Sequence, residues 1–360
     1  MVFYIPYLLL ILIVLGNIIY VFHKNNNFLF FFSLLALCWV FSWATIGGPD
    51  YQAYLYHYNN ISAPSIGYFA SFDVGYNFFV FIFKKYTQAP FNVFLVLYYL
   101  IGFSLIGKAI WSYSNHPNLI LLVYFFTLLP VDIVQVRNFL ASALLLYSFR
   151  YLIDKKYLKY LLIVFIACSF HKTFIIYLIL PIFMKENSDT RIIEFWTIFF
   201  LYILLALILH FLKPEILSIV RTLTQIIFGT NKPGYFSTES RYGHLVYWVY
   251  QLFILILFFW FKPETNISQD MHIEKYFTLY NSNLGLVVLF PLFMFNNNFL
   301  RFYRNIYIMS LIVLVDCTYS YKKKDKLSFL LVLGLVAFSW YGFSAASNTV
   351  MPLFRNSIIF

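Results

Sequence analysis

The sequence predicts an all-α, polytopic integral membrane protein whose spans build a single transmembrane domain over residues 1–360. Three observations predict it. Hydrophobic residues make up 62% of the chain and charged residues 11%, against about a quarter charged in soluble domains. Mean hydropathy is +0.78. Apolar runs of about 20 residues recur along the chain, which is the length an α-helix needs to cross about 30 Å of hydrocarbon. A barrel would show short alternating segments instead.

Twelve runs are expected, at 3–22, 28–46, 91–110, 117–134, 138–153, 157–170, 172–185, 192–212, 242–262, 276–297, 302–320 and 327–345. The first lacks a basic flank and a small-residue cleavage site, so it reads as a retained helix rather than a removed signal peptide. Cys38, Cys168 and Cys317 all lie inside runs and read as free thiols packed as small hydrophobes. No disulfide framework, zinc spacing, Walker loop or nucleotide-binding glycine fingerprint is visible. No metal and no cofactor are expected.

Charge orients the path. Asp154 to Lys159 and Lys322 to Lys326 are the two most basic loops, and both are expected in the cytoplasm. Six spans separate them, an even number, so the two anchors agree. Two long outer segments follow, 47–90 and 213–241. The first contains an amphipathic stretch at Tyr76–Lys85. The net charge of +11 does not point to nucleic acid, because the basic residues are scattered over many short loops. The excess on the inner side is slight, so the outer cations need a reason of their own.

Residues 157–170 and 172–185 are 14 residues each, rising about 21 Å as α-helix, too short for the hydrocarbon core. His171 and Lys172 mark their junction, expected on the outer side above a groove sunk into the membrane. The competing path is one tilted span from Tyr160 to Met184. It would bury Lys172 in mid-bilayer at a cost of about 3 kcal/mol.

On this path Asp50, Asp73, Arg137, His171, Lys172, Arg241, Arg301 and Arg304 all fall on one side. Charges close to lipid are costly and mark functional sites by default. Pro49 and Asp50 suit the start of a helix on structural grounds alone. Tyr51, Tyr54 and Tyr58 then share one helical face, either as an interfacial belt or as a shelf for sugar rings. Gln135, Arg137 and Asn138 open another helix, with small residues at Ala141, Ser142 and Ala143 one turn on. Arg137 either pairs with Asp132 or grips a phosphate with its planar fork. His171 reads as a boundary residue or as a base. Arg301 and Arg304, at i and i+3, read as interfacial anchors or as a pair for a diphosphate.

Taken in order, these stretches resemble the EpsG family of Wzy-like polysaccharide polymerases. The resemblance rests on Asp50, Tyr51 and Tyr54; on Asp73, Val74, Gly75 and Tyr76; on Arg137, Asn138 and Ala141; on Lys155 and Lys156; on Phe170, His171, Lys172 and Thr173; and on Arg301, Phe302 and Tyr303. It covers about residues 45–305. Asn138 stands where glutamine is common and Asp73 where glutamate is common, and both keep the polar type.

The resemblance implies a GT-C-like arrangement of broken helices around an outward-facing groove. It implies a glycosyltransferase of the bacterial inner membrane that joins polyprenyl-diphosphate-linked oligosaccharide repeat units, donor and acceptor both, into O-antigen, capsule or exopolysaccharide. A chain-length regulator would be a partner. Charge would build on the leaving diphosphate, opposite Arg137, Arg301 and Arg304. His171 or Asp50 would take the acceptor proton. Tyr51, Tyr54 and Tyr76 would position sugars, with Asp73, Gln135, Asn138, Lys172, Arg241 and Tyr303 as further binding residues. The rivals are a flippase for the same lipid-linked unit, which favours matching halves and mid-bilayer charge, and a membrane acyltransferase that decorates the polymer.

Overall fold

The computed structural model describes residues 5–21, 27–48, 50–62, 73–184, scattered positions between 197 and 222, and 243–261, 270–289 and 301–320. Every regular element among them is helical, as the predicted class requires. The expected span 327–345 and the basic loop Lys322 to Lys326 lie outside the described residues, as does most of the expected segment 213–241.

In order, α1 is Ile5–Val21, α2 Asn27–Ala44, α3 Tyr51–Asn60, α4 Val74–Thr87, α5 Phe91–Tyr113, α6 Pro117–Thr127, α7 Leu129–Val134, α8 Val136–Ile153 and α9 Tyr157–Phe170. A 3₁₀ helix, Lys172–Phe183, follows, then α10 Gly243–Trp260, α11 Asp270–Gly285 and α12 Arg301–Ser320. Among the described residues, α5 is long and apolar enough to cross a bilayer by length and composition. Asn27–Ser42, Tyr157–Phe170, Lys172–Phe183 and Trp248–Trp260 are apolar but shorter.

The chain forms two compact units, Met1–Leu178 with Asn305–Phe360, and Ile179–Arg304. In the first, aromatic rings fill the space between α2, α5 and α8. Phe41 meets Phe103 at 4.8 Å, and Phe103 meets Phe139 at 4.9 Å. Gly102 makes this approach possible, because a Cβ there would stand 2.1 Å from the Phe139 ring. Small-residue contacts of this kind bring helices together where lipid gives no hydrophobic drive. In the second unit, Gln251 of α10 donates to Asn283 of α11 at 2.9 Å, and the Tyr276 hydroxyl donates to the Phe258 carbonyl.

Three expectations change in detail. The run at 117–134 is two helices rather than one, broken near Leu128; Pro130 has no N–H to continue the first. The run at 172–185 is 3₁₀ rather than α. At about 2.0 Å per residue, its 12 residues reach about 24 Å, where α geometry would give about 18 Å. The run at 276–297 begins earlier, at Asp270, and passes into a 3₁₀ turn at Leu286–Leu289.

The chain reverses at His171. The Tyr160 hydroxyl donates to the Tyr177 carbonyl at 2.9 Å. In one continuous helix those residues would stand about 25 Å apart. His171 itself is extended, with φ −152° and ψ 110°. A single tilted span from Tyr160 to Met184 is thereby excluded, and α9 and the 3₁₀ helix form a hairpin.

Candidate functional site

Three stretches far apart in sequence meet at one carboxylate in the first unit. Asp73 immediately precedes α4 in extended geometry, φ −73° and ψ 143°, where an acid is favoured by the helix dipole. Its side chain does not cap α4. It reaches outward instead. Oδ2 accepts from Arg137 Nη1 at 2.7 Å, and Oδ1 accepts from the Lys172 backbone N–H at 3.1 Å. Asp73 thus joins the start of α4, the start of α8 and the hairpin tip. The Asp73 side chain is 6% exposed and that of Arg137 26%, so the arginine is the partly exposed member of the pair.

Gly75 sets the closeness of α4 to α9. A Cβ at position 75 would lie 2.2 Å from Ser169 Oγ and 2.9 Å from the Ser169 carbonyl carbon. Only hydrogen fits there, and this holds Asp73 within reach of Lys172.

Behind the ion pair stands a column of rings. Arg137 Nε donates to the Tyr54 hydroxyl at 3.4 Å, and the guanidinium lies 5.9 Å from the centre of the Tyr54 ring. Tyr54 meets Tyr76 edge-on at 5.7 Å, and Tyr76 stacks with His57 at 6.1 Å. Asn77 lies close enough to His57 to influence its ionisation. Burial pushes the Tyr54 phenol pKa up, against the opposing pull of Arg137, so this residue stays a neutral hydroxyl that accepts from the guanidinium.

His57 is 2% exposed, and burial lowers its pKa from 6.5, opposed by Asn77 and reinforced by the Arg137 charge. The unfolded chain therefore takes up this proton first as pH falls. Stability carried by neutral His57 is complete above pH 6.5 and is lost as pH drops below it toward the folded value. Burial lowers His116 in the same direction. Melting of the purified protein in detergent should therefore move down between pH 7 and about 5. His57→Phe, which keeps a ring in the column, should flatten part of that slope; an unchanged slope would rule His57 out as a source.

The hairpin tip carries His171. Its Nδ1 lies 3.0 Å from Thr173 Oγ1. If Nδ1 bears the hydrogen and Thr173 accepts it, Nε2 is the basic nitrogen. Lys172 and Ile175 are exposed while Phe174 and Tyr177 are buried, the repeat of three that 3₁₀ geometry gives.

The other expected residues sort clearly. Asp50 is exposed at the start of α3, close enough to Tyr54 to influence its ionisation. Tyr51, Tyr54 and Tyr58 do share a face, but that face is buried. Tyr51 donates to Asn92 at 3.2 Å and Tyr58 to the Ala89 carbonyl at 2.6 Å. Tyr76 is 0% exposed. The tyrosines pack α3 against α4 and α5, and in this arrangement they offer no open shelf. Asp132 accepts from Tyr124 at 2.8 Å, and Arg137 pairs with Asp73. Asn138 is buried and donates to Asn305 of α12 at 3.1 Å, which makes it a helix tether. Gln135 is half-buried just ahead of α8, and its carbonyl accepts from the Phe139 N–H at 2.9 Å.

Tyr303 and Arg304 are both buried in the first turn of α12 and belong to the second unit. Arg301 begins that helix. Arg241 lies outside the described residues. Sequence reading missed His57 and Asn77, and held Thr173 only as part of the resemblance. The signals were present: His57 falls three residues after Tyr54, Asn77 four after Asp73, and Thr173 two after His171.

Comparison with known proteins follows the same lines. The model of the EpsG family matches residues 25–354, nearly the whole chain. No curated protein and no solved structure matches it. The matched segment contains all the residues joined at Asp73, and the chain belongs to the EpsG family, a Wzy-like family of polysaccharide polymerases acting in surface polysaccharide biosynthesis.

Proposed function

We propose that this protein joins polyprenyl-diphosphate-linked oligosaccharide repeat units by glycosyl transfer on the extracytoplasmic face of the bacterial inner membrane, along the twelve-span path. The observation that carries the reading is the junction at Asp73. One carboxylate orients a partly exposed arginine and fixes the backbone of the turn bearing His171. A cation and a base are thereby held on one rigid support, which suits preorganised catalysis.

In the reaction, a hydroxyl oxygen of the acceptor sugar forms a bond to the anomeric carbon of the donor. The bond from that carbon to the diphosphate breaks, and its electron pair leaves with the polyprenyl diphosphate. The hydroxyl proton passes to His171 Nε2. Arg137, the partly exposed cation held by Asp73, faces the charge growing on the diphosphate. Arg301 and Arg304 are proposed as further cations, and Arg241 and Lys172 as substrate contacts, on their sequence positions. Asp50 is the second candidate base. O-antigen, capsule and exopolysaccharide are the product classes that such chemistry serves, with a chain-length regulator as partner.

Purified protein in liposomes should convert lipid-linked repeat units into a ladder of longer chains. In cells lacking the protein, single lipid-linked units should accumulate outside. Accumulation inside would identify a flippase, and loss of acyl groups at unchanged chain length an acyltransferase. Sidedness has its own test. A Lys172→Cys variant should react with an impermeant maleimide in intact cells, while Lys323→Cys should be protected; the reverse pattern would invert the path.

A further inference from the structure

A second cationic site lies at the opposite ends of α8 and α9 from Arg137 and His171. Tyr147 and Tyr151 of α8 meet edge-on at 6.2 Å. Three cations from three helices stand over these two rings. Lys108 of α5 is 5.4 Å from the centre of Tyr147, Arg150 of α8 is 4.8 Å from Tyr147 and 4.4 Å from Tyr151, and Lys159 of α9 is 6.0 Å from Tyr151. Arg150 Nη2 also donates to the Tyr151 hydroxyl at 2.7 Å.

The adjacent acid does not neutralise them. Asp154 is paired with Lys156 at 2.9 Å, and among the described residues no carboxylate bridges Lys108, Arg150 or Lys159. Three positive charges held over two shared rings repel one another. The ring faces offset this in part, and an anion would offset it further. Lys108 and Lys159 are exposed. Apolar surface flanks them: Trp111, one turn beyond Lys108, is 41% exposed, and Leu158 beside Lys159 is 73% exposed. A ligand with a phosphate and a hydrocarbon tail matches both features.

We propose that Lys108, Arg150 and Lys159, mounted on Tyr147 and Tyr151, bind the headgroup phosphate of an anionic glycerophospholipid from the surrounding leaflet. The rings fix the lateral position of the cations and leave their outer N–H groups for the phosphate. The site rests on the membrane reading and is independent of the polymerase reading, because it shares no residue with the Asp73 junction.

The test is native mass spectrometry and melting of the full chain in a non-ionic detergent, with phosphatidylglycerol or phosphatidylcholine added. Phosphatidylglycerol should remain bound and raise the melting temperature, whereas phosphatidylcholine, which is neutral overall, should do neither. The double variant Lys108→Gln with Lys159→Gln changes only exposed side chains and should fold. It should lower phosphatidylglycerol occupancy by about tenfold or more, since each basic residue contributes appreciably at an anionic surface. Raising the salt to about 0.5 M should weaken binding in the parent protein. Equal occupancy in the double variant would overturn the proposal, as would binding indifferent to salt. Inorganic phosphate displacing the lipid at equal concentration would show a simple anion site, and polyprenyl diphosphate displacing it would reassign the site to substrate; either result also overturns it. Loss of the polymer ladder with lipid binding intact would count against the polymerase reading alone.

Discussion

Arg137→Ala should abolish long polymer. Removing one preorganised donor to a developing anion costs about 100- to 1000-fold in rate, and Arg137 is the cation that the Asp73 carboxylate orients. The substitution has a second effect. It leaves Asp73, with a carboxylate 6% exposed, without its cation, and breaking a buried pair in this way costs about 3–5 kcal/mol. Lost activity alone would not separate the two causes. Arg137→Lys keeps the charge and loses the planar fork that serves Asp73, Tyr54 and an anion together. It should remain monodisperse in detergent, melt within a few degrees of the parent and still make chains at least about tenfold more slowly. Combining Arg137→Ala with Asp73→Asn removes the stranded charge, so much of the stability should return while polymer does not. Polymer of normal length from this double variant would dismiss Arg137 from catalysis.

Gly75→Val should have the next largest effect, through structure rather than chemistry. A β-carbon at position 75 meets Ser169 Oγ at 2.2 Å and the Ser169 carbonyl carbon at 2.9 Å. The hydroxyl belongs to a small side chain that already donates to Ile166 at 2.7 Å, and the carbonyl carbon is backbone. Neither can rotate away cheaply, so α4 must move off α9, at a cost of about 1–3 kcal/mol. The movement pulls Asp73 from the Lys172 N–H and loosens the hairpin tip. Melting should fall by several degrees, and polymer should decline together with Lys172→Cys labelling geometry rather than with protein abundance. Ser169→Gly in the same chain should restore part of the loss, since it removes Oγ and Cβ but leaves the backbone contact. A Gly75→Val protein that melts and polymerises like the parent would show that the close approach is not required.

The break at His171 was legible because two short apolar runs flank a basic residue, and a single span through both would place that lysine in mid-bilayer at a cost. The Tyr160 to Tyr177 hydrogen bond bears out the reversal. Arg137, Asp73 and Lys172 were legible as isolated charges in an apolar chain. The partner of Arg137 was not. Asp132 is five residues away and Asp73 is 64, and proximity in sequence pointed only to the nearer acid. Tyr124 donates to Asp132, which no local pattern reveals.

The sequence by itself determined the helical class, the membrane environment, the turn at His171 and which residues carry charge. These follow from apolar run length and from the cost of charge near lipid, both of which are local properties. Tertiary structure alone decided that Asp73 unites Arg137 with the hairpin, that the tyrosine face of α3 is packed inward over α4 and α5, and that Asn138 is buried against Asn305. Each of those depends on which helices touch. Helix contact is set by shape, as at Gly75 and Gly102, and shape complementarity between distant segments leaves no periodic trace in the chain.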